Sequence, residues 1–445
     1  MPRWHAGASS DRCARLLTRR TAGTAELSYE TTLAWLCGLE VRRGMDFRLA
    51  RLGPVLDALD HPEGAFPAIH VAGTNGKGST AAMLHAAYTA GGLRAGLYTS
   101  PHLLSFRERI RVGTDLIDEE AVVAHAARVR DAMTGAGVRL TFFEIATLMA
   151  FLEFRRREVD LAVVEVGLGG RLDATNVVHS VAAVVTSIGY DHQAYLGDSI
   201  ECIAREKAGI IRADIPVVTG DLPHEAVVTI ERIRGDYQAP WLRYGRDFGP
   251  WPTDARVSLA GEHQRVNRAV AAATTRLLAG RFPLAPGTVE RALATVRWPG
   301  RLECFAGAPA VVVDAAHNPE AVHTLCVALP AVLARLGTGR RRVLLFGAMG
   351  DKPWAEMLSR LVPMFDEVVL APVDTPRSFD PRSAADAVAG QRACRVAASA
   401  TQGLELARRQ AGPEGSIVVT GSIFLAAELY VMCGGDEEPF VSRAI

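Results

Sequence analysis

The apolar run Ala68-Ile-His-Val-Ala72 leads directly into Gly73-Thr-Asn-Gly76-Lys77-Gly78-Ser79-Thr80, and a helical stretch is expected from about Thr80. A short buried strand that turns through glycines into a helix needs parallel neighbours, because the helix covers one face of the sheet before the chain returns. Leu161–Val166 and Ala182–Ser187 are further apolar runs of strand length, and residues 120–155 read as two helices. Residues 29–60 carry Leu33, Leu36, Leu39, Leu49, Leu52, Leu56 and Leu59 at helix-like spacing. After Arg297-Trp-Pro-Gly-Arg301 the alternation restarts with Ala310–Asp314, Arg342–Phe346, Glu367–Ala371 and Ser416–Thr420. The expected fold class is α/β. A parallel-sheet domain over 29–297 is followed by a smaller Rossmann-like α/β domain over 298–445, behind a poorly ordered extension over 1–28.

Charge and composition narrow the function classes. Forty-nine basic and 49 acidic residues cancel, so the chain has no net electrostatic footprint for a nucleic acid or an anionic membrane. No apolar run has the length of a spanning helix; the longest, around Phe142–Phe154, is interrupted by Glu144 and Glu153. Seven cysteines, at 13, 37, 202, 304, 326, 394 and 433, form no C-x-x-C pair, which points to reduced thiols in a cytoplasmic protein. The first 26 residues hold five arginines and two acids without an apolar core, so they are not read as a secretory signal.

The loop between strand and helix carries the first chemistry. Its glycines let backbone N–H groups approach phosphate oxygens, and the following helix N-terminus favours negative charge. Lys77 is placed to reach outer phosphates, and the hydroxyl of Ser79 or Thr80 lies where a magnesium-linked group belongs. The spacing departs from the usual phosphate loop in one respect: Gly78 stands between lysine and serine. Lysine itself is informative here, because 46 arginines accompany only Lys77, Lys207 and Lys352. Arginine serves wherever a generic cation is enough, whereas lysine offers a compact amine that can become neutral and react.

With this loop, a series of stretches falls in one order along residues 29 to 430: Tyr98-Thr-Ser100-Pro-His-Leu, Phe143-Glu144, Glu165-Val-Gly-Leu-Gly-Gly-Arg-Leu-Asp-Ala-Thr-Asn176, Asp191-His192, Glu206-Lys207-Ala-Gly-Ile, Gly261-x-His-Gln-x-x-Asn267, Pro299-Gly-Arg301 and Asp314-x-x-His317-Asn-Pro. In these the chain resembles the folylpolyglutamate synthase/dihydrofolate synthase family, within the wider Mur ligase group of ATP-dependent amide-forming enzymes. The resemblance implies that Gly73, Thr74, Asn75, Gly76, Lys77, Gly78, Ser79 and Thr80 bind ATP. Asn267 would contact its adenine side, and Arg301 and Asp314 would reach it from the linker and second domain. It implies two magnesium sites, with Ser100, Glu165, His192 and Lys207 as metal ligands, Lys207 acting as a carbamate. Lys77, Lys207 and His317 are then the catalytic candidates. The acceptor would contact Met45, Asp46, Phe47 and Arg48, then Thr141 and Phe143, then Leu172, Asp173 and Ala174. Arg48 departs from the pattern, which can have glycine there in bifunctional members.

Taken without the family, several of these residues have plainer readings. His192 in isolation reads as a core or capping histidine, Lys207 as a salt-bridge partner of Glu206 or Glu201, Arg301 as a surface cation, Asp314 as a helix cap, and Phe143 as a core aromatic. The resemblance implies a monomeric, cytoplasmic ligase that joins L-glutamate to a reduced folate or to dihydropteroate through an acyl phosphate, with ATP as co-substrate and no organic prosthetic group. A Mur-type ligase acting on a UDP-linked peptidoglycan precursor is the nearest alternative; a nucleotide-dependent switch is the alternative from another class.

Overall fold

The computed structural model describes residues 28–42, 49–251, 259–336 and 341–440. The expected extension before residue 28 and the candidates Met45, Asp46, Phe47 and Arg48 lie outside them. The chain forms two compact units: one holds His263–Arg297 and the described residues before 252, the other Leu259–Glu262 and Trp298–Pro439.

The first unit is built on strands β1 (Ala68–Ala72), β2 (Ala95–Tyr98), β3 (Ile110–Val112), β4 (Asp115–Leu116), β5 (Leu161–Glu165), β6 (Ser180–Val185), β7 (Val217–Thr219) and β8 (Trp241–Arg243). They form one sheet in the order β4-β3-β2-β5-β1-β6-β7-β8. β2, β5, β1, β6, β7 and β8 run parallel, while β3 and β4 turn back as an antiparallel edge. All five residues of β1 and of β5 are buried, as expected for central strands covered on both faces. The helices Tyr29–Arg42, Glu119–Gly135 and Phe142–Arg156 share a core with Tyr98, Ala162 and Val164. Helices Ile200–Ala208 and His224–Asp236 pack with Ala72, Val166, Ala183, Val185 and Val217. The helix Lys77–Ala90 lies on β1, β2 and β5, with Thr288–Thr295 against it.

The second unit has a six-stranded sheet built from β9 (Glu303–Phe305), β10 (Ala310–Val313), β11 (Arg342–Phe346), β12 (Glu367–Leu370), β13 (Ala393–Val396) and β14 (Ser416–Thr420), in the order β13-β12-β11-β14-β10-β9. Only β9 is antiparallel to its neighbour. Leu325, Leu329, Met357, Leu361 and Val388 from three helices close over Val312, Leu344, Val368 and Val418.

Of the boundaries that differ from the sequence expectation, two shape the site. The helix after the phosphate loop starts at Lys77 rather than near Thr80, because Gly76 takes a left-handed φ of 82° and caps it there. β6 spans Ser180–Val185, which leaves Thr186 and Ser187 as loop residues. β2 carries little strand propensity because Gly96 must stay small: a Cβ there would meet the Phe154 ring at 3.0 Å.

Burial fixes the state of two histidines. Desolvation is the main cause holding the imidazoles of His70 and His85 at about 3, and Arg212 and Arg111 respectively push the same way. Both are neutral in the folded protein, whereas in the unfolded chain each takes a proton as pH falls below 6.5. Stability should therefore decline from about pH 6.5 towards pH 3, by up to roughly 1.4 kcal/mol per pH unit for each imidazole. The thermal midpoint should fall between pH 7 and pH 5, and His85→Leu should flatten that slope. An unchanged midpoint over this range would show that the two sites do not stay dry and neutral.

Candidate active site

The parallel order β2-β5-β1-β6 brings four polar segments to the carboxyl edge of one sheet, where ligands bind in open α/β folds. Ser100 follows β2, Glu165 ends β5, Gly73–Thr80 follows β1, and Thr186–His192 follows β6.

The phosphate loop is shaped by its neighbours as much as by its own glycines. Gly73 has φ 148°, and a Cβ on it would collide with the Thr186 hydroxyl. The Thr186 hydroxyl donates to Asn75 O at 2.6 Å, and Ser187 Oγ accepts from the Asn75 N–H at 2.9 Å. Thr74 Oγ1 accepts from the Gly189 N–H and donates to the Gly189 carbonyl, at 3.0 and 3.1 Å. Across Gly76, the Asn267 amide oxygen stands 2.6 Å from where a Cβ would be, so glycine is required there. Asn267 Nδ2 donates to Gln264 Oε1 at 3.0 Å, and Gln264 Nε2 donates to Ser79 Oγ at 3.3 Å. Asn267, expected on the adenine side, is thus also a buttress of the loop. As at any helix N-terminus, the first N–H groups of the helix Lys77–Ala90 lack intrahelical acceptors and favour negative charge.

Two lysines meet at this loop. Lys77 Nζ donates to the carbonyls of Gly73 and Thr74 at 3.0 and 3.1 Å. Lys207, buried in the helix Ile200–Ala208, donates to the same Gly73 carbonyl at 2.9 Å. Two ammonium groups therefore converge on one oxygen.

Glu165 is 4% exposed, and its Oε2 accepts the Ser100 N–H at 3.1 Å. The Ser100 loop is itself held by Glu108, whose carboxylate takes the N–H groups of Leu103, Leu104 and Ser105, each at 2.7 Å. His192 has φ 52° and its N–H donates to Asp191 Oδ1 at 2.8 Å; its Nε2 is 3.8 Å from Asp191 Oδ2. Among the described residues no three His, Cys, Asp or Glu side chains gather closely enough to hold a metal. A carboxylate and a hydroxyl beside an anion-binding loop nevertheless fit magnesium, which takes one or two protein oxygens and completes its shell with phosphate and water.

The acceptor candidates lie on two adjoining pieces. Thr141 caps the helix Phe142–Arg156, and Glu144 returns the bond to the Thr141 N–H at 2.7 Å while pairing with Arg51. Phe143 is half-buried, tilted against Tyr98 at 6.0 Å, and its ring presses on Gly167, where any Cβ would collide with it. Asp173 is buried: Oδ2 accepts the Leu168 N–H at 2.8 Å, and Oδ1 accepts the N–H and hydroxyl of Thr175 at 3.0 and 2.5 Å. Burial pushes its carboxyl up, and those hydrogen bonds pull it back. Leu172 and Ala174 flank it on the same loop, with Ala174 buried.

In the second unit, Asp314 follows β10. Its oxygens accept the N–H groups of Leu302 and Ala316 at 2.8 and 2.9 Å. Burial raises its carboxyl, and the Arg301 guanidinium is the first of the groups that oppose this. His317 Nδ1 is 3.0 Å from Ala315 O. Lys352 follows β11, so Asp314 and Lys352 leave strands on either side of β14. No disulfide joins the six described cysteines, and no described helix is long and apolar enough to cross a membrane.

Sequence reasoning gave no role to Thr186, Ser187 or Gln264, which shape the loop, nor to His70 and Thr175, although Gln264 and Thr175 stand within the stretches that carry the resemblance. The available signals were a hydroxyl pair ending an apolar strand and one histidine inside another.

This combination of sheets, phosphate loop and second α/β unit is that of a Mur ligase: residues 71–217 match the Mur ligase middle domain and residues 300–423 the Mur ligase glutamate ligase domain. The relatives narrow the class. A folylpolyglutamate synthase of Lacticaseibacillus casei is 35% identical over 90% of this chain and 97% of its own length. A Bacillus subtilis dihydrofolate synthase/folylpolyglutamate synthase is 36% identical over 79% of this chain and 86% of its own. An Escherichia coli structure solved with DHPP and ADP superposes with a TM-score of 0.82 at 31% identity, covering 90% of this chain and 97% of that one. The chain belongs to the folylpolyglutamate synthase/dihydrofolate synthase family.

Proposed function

We propose that this enzyme uses ATP to join L-glutamate to the free carboxylate of a folate-type acceptor, either a reduced folate or dihydropteroate. The observation that carries this reading is the single sheet edge on which the phosphate loop, Glu165 with Ser100, and Lys207 stand together. A carboxylate is a poor electrophile, so the γ-phosphoryl group of ATP first passes to an acceptor oxygen and gives an acyl phosphate and ADP. The α-amine of glutamate then attacks the acyl carbon, loses a proton and expels phosphate as the amide forms.

The residues divide the work. Gly73–Gly78 and the helix N-terminus hold the phosphates, and Lys77 leaves its loop carbonyls to take charge that develops on the transferring group. Asn267 supports the loop and the adenine side, with Arg301, Asp314 and His317 as candidates from the second unit. Thr141, Phe143, Leu172, Asp173 and Ala174 line the acceptor. Ser100, Glu165, His192 and a carbamylated Lys207 would hold two magnesium ions. Bound magnesium would screen the phosphate charge and polarise the transferring group. A carbamate would turn one of the two converging cations into an anion, a change open to lysine and closed to arginine. We place the ATP- and folate-binding domain at 29–297, the glutamate-ligase domain at 298–445 and an N-terminal extension at 1–28. We assign the protein as a monomer in the cytoplasm.

ADP release with magnesium, ATP and glutamate, compared for dihydropteroate and tetrahydrofolate, tests the reading. Turnover with both defines a bifunctional synthase, and turnover with one fixes the step. Glutamate-dependent turnover with neither would sink the folate assignment.

A further inference from the structure

β1 is apolar except for His70, whose imidazole is 1% exposed and kept neutral by burial. A hydrophobic residue would fill that place without the cost of desolvating a ring nitrogen, so the bond it makes needs a reason. His70 Nε2 lies 2.8 Å from Thr175 Oγ1, and Thr175 Oγ1 lies 2.5 Å from Asp173 Oδ1. The directions follow from chemistry. Both Asp173 oxygens already accept backbone N–H groups, so the Thr175 hydroxyl donates to Asp173 Oδ1, and its oxygen accepts the Nε2–H of His70. All three side chains are buried.

This relay joins two pieces with different tasks. His70 stands three residues before Gly73, on the strand that presents the phosphate loop. Asp173 gathers the Leu168 N–H and so folds the loop that lays Gly167 against Phe143. The far side of that loop is fixed independently. The Arg171 N–H donates to Glu206 O at 2.8 Å, Gly170 packs on the carbonyls of Glu206 and Lys207, and Asn176 Nδ2 reaches Gly209 O at 3.0 Å. Among the hydrogen bonds of the described residues, the relay is what ties the Asp173 carboxylate to β1.

We propose that His70 is a positioning residue for acceptor recognition: through the Thr175 hydroxyl it sets where the Asp173 carboxylate and the Gly167–Asn176 loop stand beside Phe143. The inference rests on the reading of that loop as the acceptor-binding loop. Neither His70 nor Thr175 touches the acceptor; both fix what does.

Thr175→Val keeps the side-chain volume and removes the hydroxyl, while Thr175→Ser keeps the hydroxyl. Losing the relay should raise the acceptor KM roughly tenfold and leave the ATP KM and kcat near wild type. Thr175→Ser should restore the acceptor KM, and His70→Leu should reproduce the Thr175→Val split from the other end. Deuterium uptake supplies a readout that needs no acceptor: residues 167–177 should exchange faster in Thr175→Val and not in Thr175→Ser, with residues 73–80 unchanged. An unchanged acceptor KM in Thr175→Val, or equal loss in the valine and serine variants, would overturn the proposal. If the wild-type enzyme turns over neither folate acceptor, the functional reading fails while the exchange experiment still decides whether the relay holds the loop.

Discussion

Lys77→Ala should lower kcat/KM for ATP-dependent ligation by about three orders of magnitude, the scale expected when a preorganised charged donor is removed from a transferring phosphoryl group. The geometry supports an effect of this size. The ammonium is kept at the loop by the Gly73 and Thr74 carbonyls, at 3.0 and 3.1 Å, so it waits beside the phosphate-binding turn and has only a short way to move when it exchanges those carbonyls for the transferring group. The same substitution removes two bonds to loop carbonyls but leaves the loop's main supports, because Thr74, Asn75 and Gly76 are positioned by Gly189, Thr186, Ser187 and Asn267. Nucleotide binding measured by titration should therefore weaken far less than turnover. ADP release that stays above a tenth of wild type would remove Lys77 from the transfer step, and a comparable loss of binding and turnover would make it a mere anchor.

The contrast between Lys77 and its supports shows which parts of the site sequence reasoning reaches. Lys77 and Glu165 were legible as candidates because each stands beside a local signal, a glycine-rich turn or the end of an apolar run, which in a parallel sheet opens on the ligand edge, whereas Ser100 follows a strand the pattern did not show and came only with the resemblance. Their alignment on consecutive strands followed from the alternation of strands and helices. Contacts made across long sequence separations were not legible. Gln264 and Asn267 reach Ser79 and Gly76 from a helix far along the chain, and nothing near the loop announces them. The early helix start was hidden as well, since it depends on Gly76 adopting a left-handed conformation that glycine permits without requiring. Asp173 illustrates a third case. Its residue type suggested a free carboxylate for a ligand, and the fold also employs it as the cap and internal clamp of its own loop. β2 escaped for a packing reason, since the strand makes room for Phe154 with a glycine.

Lys207→Ala should be as damaging as the loss of Lys77, and its pattern of rescue separates two accounts of the buried amine. If Lys207 acts as a cation, Lys207→Arg retains substantial activity, since a guanidinium carries the same charge. If it acts as a carbamate, arginine fails, because the modification needs a neutral amine that bonds to carbon dioxide and releases a proton. Acetate or formate added to Lys207→Ala should then restore part of the turnover by supplying the missing carboxylate oxygens. The surroundings favour the second account. Lys207 is 4% exposed and shares the Gly73 carbonyl with Lys77, so an unmodified side chain places a second cation beside the first in a desolvated position. As a carbamate, the same stem would present hard oxygens suited to magnesium, on the sheet edge that carries Glu165 and the phosphate loop. The arginine-dominated composition points the same way: a chain with 46 arginines and three lysines keeps lysine here, where arginine would have served any purely ionic role. Full activity in Lys207→Arg would refute the carbamate and return Lys207 to a structural tie between its helix and the phosphate loop. Loss in both variants with recovery by acetate in Lys207→Ala alone would establish the carboxylate function of this position.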